Sequence, residues 1–285
     1  MCAATVVDIF TPTNIQPEPT QFINTPLNLR ICERFAGHPI LDLGPWVPSM
    51  KQSLQTGSVY SQGFSITPRE LANRWGQHYH GPVLLITDAR CYSATDIFAA
   101  GFKDHYLGTI LGADDNTGAG GANVWTHELL SDLSKPSTPT HKESPYKTLP
   151  KGAGMRVSIR RTLRVGEYAG TPVEDLGIEP DERYYMTKDD VLSGNQDLLN
   201  RAGEILATKV VRKLDAKIEA TAGTNSLSIT IVGIDRLDIY LDNRPIESVD
   251  VSGEITQVGL NSPVSGRTLL IKGFHSGKVV ATRKL

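Results

Sequence analysis

A chain of 285 residues is long enough for one large domain with an appendage, or for two domains, and can bury a core without disulfide staples. Its 29 Lys and Arg against 31 Asp and Glu give a net charge of -2, which argues against a nucleic-acid or anionic-membrane partner needing a concentrated basic field. At 39% hydrophobic and 21% charged the composition is that of a folded globular protein, and three scattered cysteines (Cys2, Cys32, Cys91) write neither a disulfide framework nor a CxxC metal site.

No apolar run approaches the roughly 18 residues of a membrane span. The opening MCAATVVDIF lacks the basic and long apolar regions of a signal peptide. FTPTNIQPEPTQFINTP has the Pro, Thr and Asn content of an extended segment or loop wall. From Pro26 to Phe35 the spacing of Leu29, Ile31, Cys32 and Phe35 predicts a short helix, and LGPWVPSM breaks that pattern. SITPRELANRWG predicts a capped helix with Thr67 at the N-cap, Pro68 first and Glu70 third.

PVLLITDA (82–89) is a continuous apolar run, as in a strand buried on both faces of a parallel sheet. A helix over 93–105 follows, burying Ile97, Phe98, Gly101 and Phe102, and then a short strand at 107–113; together they predict a βαβ crossover. A glycine-rich loop occupies 114–125, and residues 131–150 read as a surface excursion. A half-buried strand is expected over 155–166. A long amphipathic helix is expected over 195–214, with Leu198, Leu199, Ala202, Ile205 and Leu206 facing inward. Beyond Ala222-Gly223-Thr224 come the short alternating strands SLSITIVG, RLDIYLD, EITQVGL, TLLIKGF and KVVATRKL. Asp242-Asn243 and Ser276-Gly277 stand where hairpin turns belong.

Ser93 stands between a buried strand and a helix, the end of a parallel sheet at which ligands are bound. The amides of Ala94 and Thr95 beside it, with the helix dipole, suit a developing oxyanion, so Ser93 is a candidate nucleophile. The same position suits a plain N-cap, with Asp96 completing a box-like pattern; spacing leaves both readings open.

The stretch PVLLITDARCYSATDIFAAGFKDHYLGTILGADDNTGAGG resembles the catalytic segment of the C-terminal processing peptidases, the tail-specific and tricorn-type serine peptidases. The matching residues are Ser93, Ala94, Thr95, Asp96 and Ile97, then Asp104 and Gly108, then Leu111 and Gly112. A second block, TPVEDLGIEPDE (171–182), is similar to the family's Glu-Gly-x-Gly-Val-x-Pro-Asp segment. The resemblance implies an α/β fold with a peptidase-type βαβ sheet core, incomplete on its N-terminal side, and the alternating strands after it predict a small all-β sandwich module. Residues 1–222 would form the catalytic domain and 223–285 the accessory module.

It implies a hydrolase: a serine endopeptidase acting on a polypeptide, with Ser93 as nucleophile, the Ala94 amide in the oxyanion hole and Gly118, Gly120 and Gly121 lining the substrate. Glu174 would be the orienting acid. No cofactor, metal or nucleic acid is implied; a periplasmic or extracellular setting is, and an incomplete core that exposes apolar sheet surface suits a homo-oligomer. The chain also departs from the family. Its serine-to-lysine interval, counted from Ser93, ends on Gly118, and the loop holds no lysine for a Ser–Lys dyad. The family's N-terminal histidine, its Asp-x-Arg-x-Asn-x-Gly-Gly segment and the PDZ module have no match. The alternative is an inactive peptidase fold that binds peptides or proteins.

For a local base, His105 stands about 18 Å down a helix from Ser93. His80 precedes a strand about 26 Å long. His127, just after the glycine loop, is the best local candidate. The TGAGGA run lacks the GK[ST] ending of a phosphate loop. Asp114 and Asp115 read as solvated turn residues, and His78-x-His80 lacks a third metal ligand. Asp104, at a helix C-terminus, calls for a salt bridge or hydrogen bonds.

Overall fold

The computed structural model describes residues 3–135, 144–221, 224–260 and 264–285, so Cys2, the middle of the 131–150 excursion and Ala222-Gly223 lie outside the described residues. Helix α1 (Ala3–Asp8) is followed by strand β1 (Pro19–Phe22), within the segment read as a loop wall, and α2 (Pro26–Arg34). Extended Thr25 caps α2 by accepting from Asn28 N at 3.1 Å, with Pro26 at the first position. α2 buries Ile31 and Cys32, whose thiol burial pushes up to about 12. Helix α3 (Val47–Thr56) forms where the prolines of LGPWVPSM suggest a break. Pro48 falls in its first turn, where no amide has an intrahelical partner, and left-handed Gly57 closes it.

Strand β2 (Phe64–Ser65) precedes α4 (Arg69–Ala72), which differs from the helix predicted here. Pro68, not Thr67, occupies the cap position, and the helix lasts one turn. The chain is drawn away because Asp8 Oδ2 accepts from Trp75 N at 2.9 Å and Gly76 N at 2.7 Å, with Gly76 at φ 70°.

The centre is α/β. Strand β3 (Leu84–Thr87), helix α5 (Ala94–Asp104) and strand β4 (Thr109–Gly112) form the predicted crossover, with Leu84 opposite Thr109 in parallel register. β3 is shorter than expected and only half-buried over Leu84–Ile86, because it is an outer strand of its three-stranded sheet. Gly108 allows close approach: a Cβ there would fall 2.0 Å from Val83 O. The glycine loop ends at Gly121, earlier than expected, because β5 (Ala122–Thr126) begins there and buries Trp125.

Helix α6 (His127–Leu133) takes up the start of the 131–150 excursion, capped by Thr126 accepting from Leu129 N at 3.2 Å. β6 (Arg156–Thr162) pairs antiparallel with β1 and β5, giving the sheet β2-β1-β6-β5. β7 (Glu182–Arg183) adds in parallel to β4. Helices α7 (Lys188–Leu192) and α8 (Gln196–Ala207) follow. α8 buries Leu198, Ala202 and Ile205, but Leu199 is 55% exposed, about 100° around the helix from Leu198.

The expected extension of α8 to residue 214 is replaced by strand β8 (Lys213–Thr221), where Leu214 and Ala216 alternate into a core. Six more strands complete the C-terminal part: β9 (Thr224–Val232), β10 (Arg236–Leu241), β11 (Arg244–Asp250), β12 (Ile255–Leu260), β13 (Leu269–His275) and β14 (Lys278–Lys284). They form two antiparallel sheets, β12-β9-β8 and β11-β10-β13-β14, around a shared core that includes Leu227, Ile229, Leu237, Ile239 and Ile271. Among the described residues, no helix is long and apolar enough to cross a membrane.

Candidate active site

The turn from β3 to α5 is shaped by Asp88, whose Oδ1 accepts from Arg90 N at 2.9 Å and Cys91 N at 3.1 Å. Ser93 ends that turn at φ 61° and ψ -114°, a backbone region few residues other than glycine adopt. It is exposed and its side chain makes no capping hydrogen bond to α5, so its hydroxyl is not spent as an N-cap. Thr95 turns back instead, donating from Oγ1 to Tyr92 O at 2.8 Å and from N at 3.3 Å. The Ala94 amide remains at the first helical position, where amides have no intrahelical partner.

The glycine loop folds onto this turn. Gly118 N donates to Cys91 O at 2.7 Å, and the ring of Tyr92 covers Gly118 and Gly120, whose added Cβ atoms would sit 2.5 and 2.3 Å from it. Asp96, one turn into α5 and fully buried, accepts from Ala119 N at 3.1 Å and Gly120 N at 3.0 Å. Glu174 comes to the same place through its neighbours. Asp175 N donates to Ala119 O at 3.0 Å, and Val173 lies 2.4 Å from where a Gly121 Cβ would stand. Burial raises the pKa of Glu174, as do Asp175 and Asp96, while Arg161 opposes the shift; its Oε2 is buried with no hydrogen-bond partner among the described residues.

The two sequence blocks meet here. Ile178 N donates to Thr117 Oγ1 at 2.9 Å, Asp181 Oδ2 accepts from Ile110 N at 2.8 Å, and Pro180 packs on Gly112. Asp104 holds a buried ion pair with Arg164, accepting from Nε at 3.0 Å, and it also accepts from Val165 N at 3.1 Å. That is the structural role a carboxylate at a helix C-terminus calls for. Asp114 and Asp115 lie in the turn. Asp114 accepts from Ala89 N at 2.8 Å, and Asp115 pairs with Arg183 at 2.7 Å. No metal-ligand cluster occurs among the described residues.

The structure thus gathers Ser93, Ala94, Gly118, Gly120, Gly121 and the Glu174 segment. His127 stands apart, beyond β5 and so roughly 16 Å from the glycine loop at 3.3 Å per residue. Its ring lies edge-on to Tyr146, with centroids 5.7 Å apart. Two features escaped the sequence reading. One is the hold of Asp96 on the glycine loop, since the sequence shows this residue only as part of a cap and of the family-like segment. The other is a cavity of about 280 Å³ beside Ala94 and Ile97, walled also by Glu18, Thr20, Asn123 and Arg160. Burial raises the Glu18 carboxyl to about 7 and lowers the Arg160 guanidinium to about 10. Sequence separation hid this cavity, since its walls come from α1, the chain leading into β1, β1 itself, the segment after β2, α5, β5 and β6.

The family model for peptidase family S41 matches residues 43–184. A search of curated proteins finds no match. Solved structures similar to this chain include mature CPAF complexed with lactacystin and mature CPAF, each at 13% identity, TM-score 0.47, covering 73% of this chain and 42% of CPAF. A serine-to-alanine mutant of CPAF is similar at 12% identity and TM-score 0.43, covering 73% and 41%. The chain therefore spans under half the length of these structures.

Proposed function

We propose that this chain, whose residues 43–184 match the model of peptidase family S41, a serine peptidase family, is a serine endopeptidase of the C-terminal processing type with Ser93 as nucleophile. The observation that carries this reading is the Ser93 backbone: an exposed serine held at φ 61° on a strand-to-helix turn, with its hydroxyl free of capping. Ser93 Oγ attacks the scissile carbonyl and gives its proton to a base, and the Ala94 N–H stabilises the tetrahedral oxyanion. The C–N bond then breaks, the base passes its proton to the leaving amine, and water hydrolyses the acyl-enzyme. Gly118, Gly120 and Gly121 let the substrate backbone approach, and Glu174 orients the base. With His127 a strand's length away, the proposal brings that base from sequence beyond these residues or from a second copy. Residues 1–222 are read as the peptidase domain and 223–285 as a β-sandwich accessory module, with β8 contributing to that module's sheet.

A second reading, a peptide-binding module without chemistry, draws support from Gly118. It stands at the lysine position of the family's dyad, and a side chain there meets Tyr92 and the carbonyls of Ala89 and Cys91 at 2.5 to 3.0 Å. Fluorophosphonate labelling of this chain and of the full-length gene product, with Ser93→Ala as control, decides between the two. A mass-spectrometric adduct on Ser93 in either form is the expected result. If both are folded and neither labels, the peptidase reading falls and the binding module stands.

A further inference from the structure

We infer that Asp96 is a positioning residue that clamps the Gly118–Gly121 loop to the serine turn and so holds the loop's main chain in place for an extended peptide. The inference rests on the peptidase reading only for the nature of the ligand.

An aspartate at the third position of a helix ordinarily turns back toward its own cap. Here both oxygens leave the helix: Oδ1 takes Ala119 N–H at 3.1 Å and Oδ2 takes Gly120 N–H at 3.0 Å. Asp96 is fully buried, and among the described residues no lysine or arginine forms a salt bridge with it. Two amides therefore solvate a buried carboxylate, and charge-assisted bonds of that kind are about twice as strong as neutral ones. The loop needs such an anchor. Ala119 sits at φ 58°, a costly conformation for a residue with a Cβ. Gly118, Gly120 and Gly121 supply no side chains that could hold the loop through packing of their own. Its other ties are main-chain bonds, Gly118 N to Cys91 O, Asp175 N to Ala119 O and Thr162 N to Gly121 O. Since Asp96 and Ser93 share the first turn of α5, the carboxylate sets the loop's position relative to the nucleophile and the Ala94 amide.

Asp96→Asn tests this, because it places an NH2 against an N–H and removes the charge. Three quantities are read in the folded variant: deuterium exchange of the 117–121 amides, anisotropy of fluorescein-labelled casein peptides, and the rate of fluorophosphonate labelling at Ser93. Loop exchange should rise and peptide affinity should fall about tenfold or more, the worth of a hydrogen bond to a charged group. The loss of peptide affinity should exceed the loss of labelling rate, since the small probe spans none of the loop. Asp96→Glu, which keeps the carboxylate, should recover part of the affinity. Unchanged exchange and affinity would overturn the assignment, as would equal losses of labelling and binding, or a wild-type protein without affinity for the peptides. If D96N does not fold, Asp96→Ser, which keeps one acceptor, gives the same readings. If wild type binds peptide but neither this chain nor the full-length product takes a label at Ser93, the peptidase reading falls, while exchange and affinity still decide Asp96.

Discussion

At the scale of single residues, the buried carboxyls behave in two ways. Asp104 is matched by the Arg164 guanidinium and by Val165 N, so its charge is compensated within the fold. Glu18 has no paired cation among the described residues: burial raises it from 4.5 to about 7, a hydrogen bond from its own amide opposes the shift, Asp104 adds to it as a like charge, and the side chain packs against Gly101. A carboxyl raised on folding contributes stability that is fully present below its unfolded pKa and is lost as pH rises through the folded value. Wild type should therefore weaken between about pH 4.5 and 7 relative to Glu18→Gln, which cannot ionise. By pH 8 the variant should be the more stable by on the order of 3 kcal/mol, with little difference at pH 4. Urea denaturation of both proteins at the two pH values measures this, and parallel curves would mean that Glu18 is solvated in the native state.

At the scale of elements, the glycine loop should respond unequally to methyl groups. At Gly121 a Cβ meets Val173 Cβ at 2.4 Å and its backbone carbon at 2.8 Å, so a packed chain segment must move. At Gly120 the nearest atoms it meets are those of the Tyr92 ring, a residue 59% exposed that can swing outward. Gly121→Ala should cost about 1–3 kcal/mol, the range for overpacking, and Gly120→Ala less. Thermal melts rank the two, and a larger loss at Gly120 would show that Tyr92 is fixed over the loop. Element-scale features were also the most legible in the sequence. The crossover through α5 follows from an apolar run, a helical stripe and a second run, and the hairpin turns at Asp242-Asn243 and Ser276-Gly277 show the positive φ their residue types favour. Two strands of the C-terminal part escaped. β11 is exposed at nearly every position and has no alternation to read, and β8 begins inside a helical-looking periodicity. Helix α3 was hidden by prolines, which a first turn accepts. Ser93 was legible because its setting is local. Asp96 was not, because its partners come from the loop after β4.

At the scale of the whole molecule, the C-terminal sheets are tied to the rest through β14 and the segment after α4. Thr282 N donates to Gln77 Oε1 at 2.9 Å, Thr282 O meets His80 Nε2 at 2.9 Å, and Lys284 Nζ donates to Arg74 O at 3.1 Å. His80 is the pH-sensitive member of this seam. Burial lowers its pKa, Arg283 and His78 add to the lowering, and Thr282 O and Asp215 oppose it. A histidine lowered on folding contributes stability that is complete above its unfolded pKa and is lost as pH falls toward the folded one, because the unfolded chain takes the proton first. The slope is opposite in sign to that of Glu18, so it must be read as a difference between wild type and a variant. His80→Gln keeps a donor for Thr282 O but cannot protonate. It should match wild type near pH 8 and be the more stable of the two near pH 5, by denaturation midpoint and by resistance to proteolysis between Ala207 and Lys213. Equal pH dependence in the two proteins would mean that His80 is free to protonate in the native state, and that the seam is held by Gln77 and Lys284 alone.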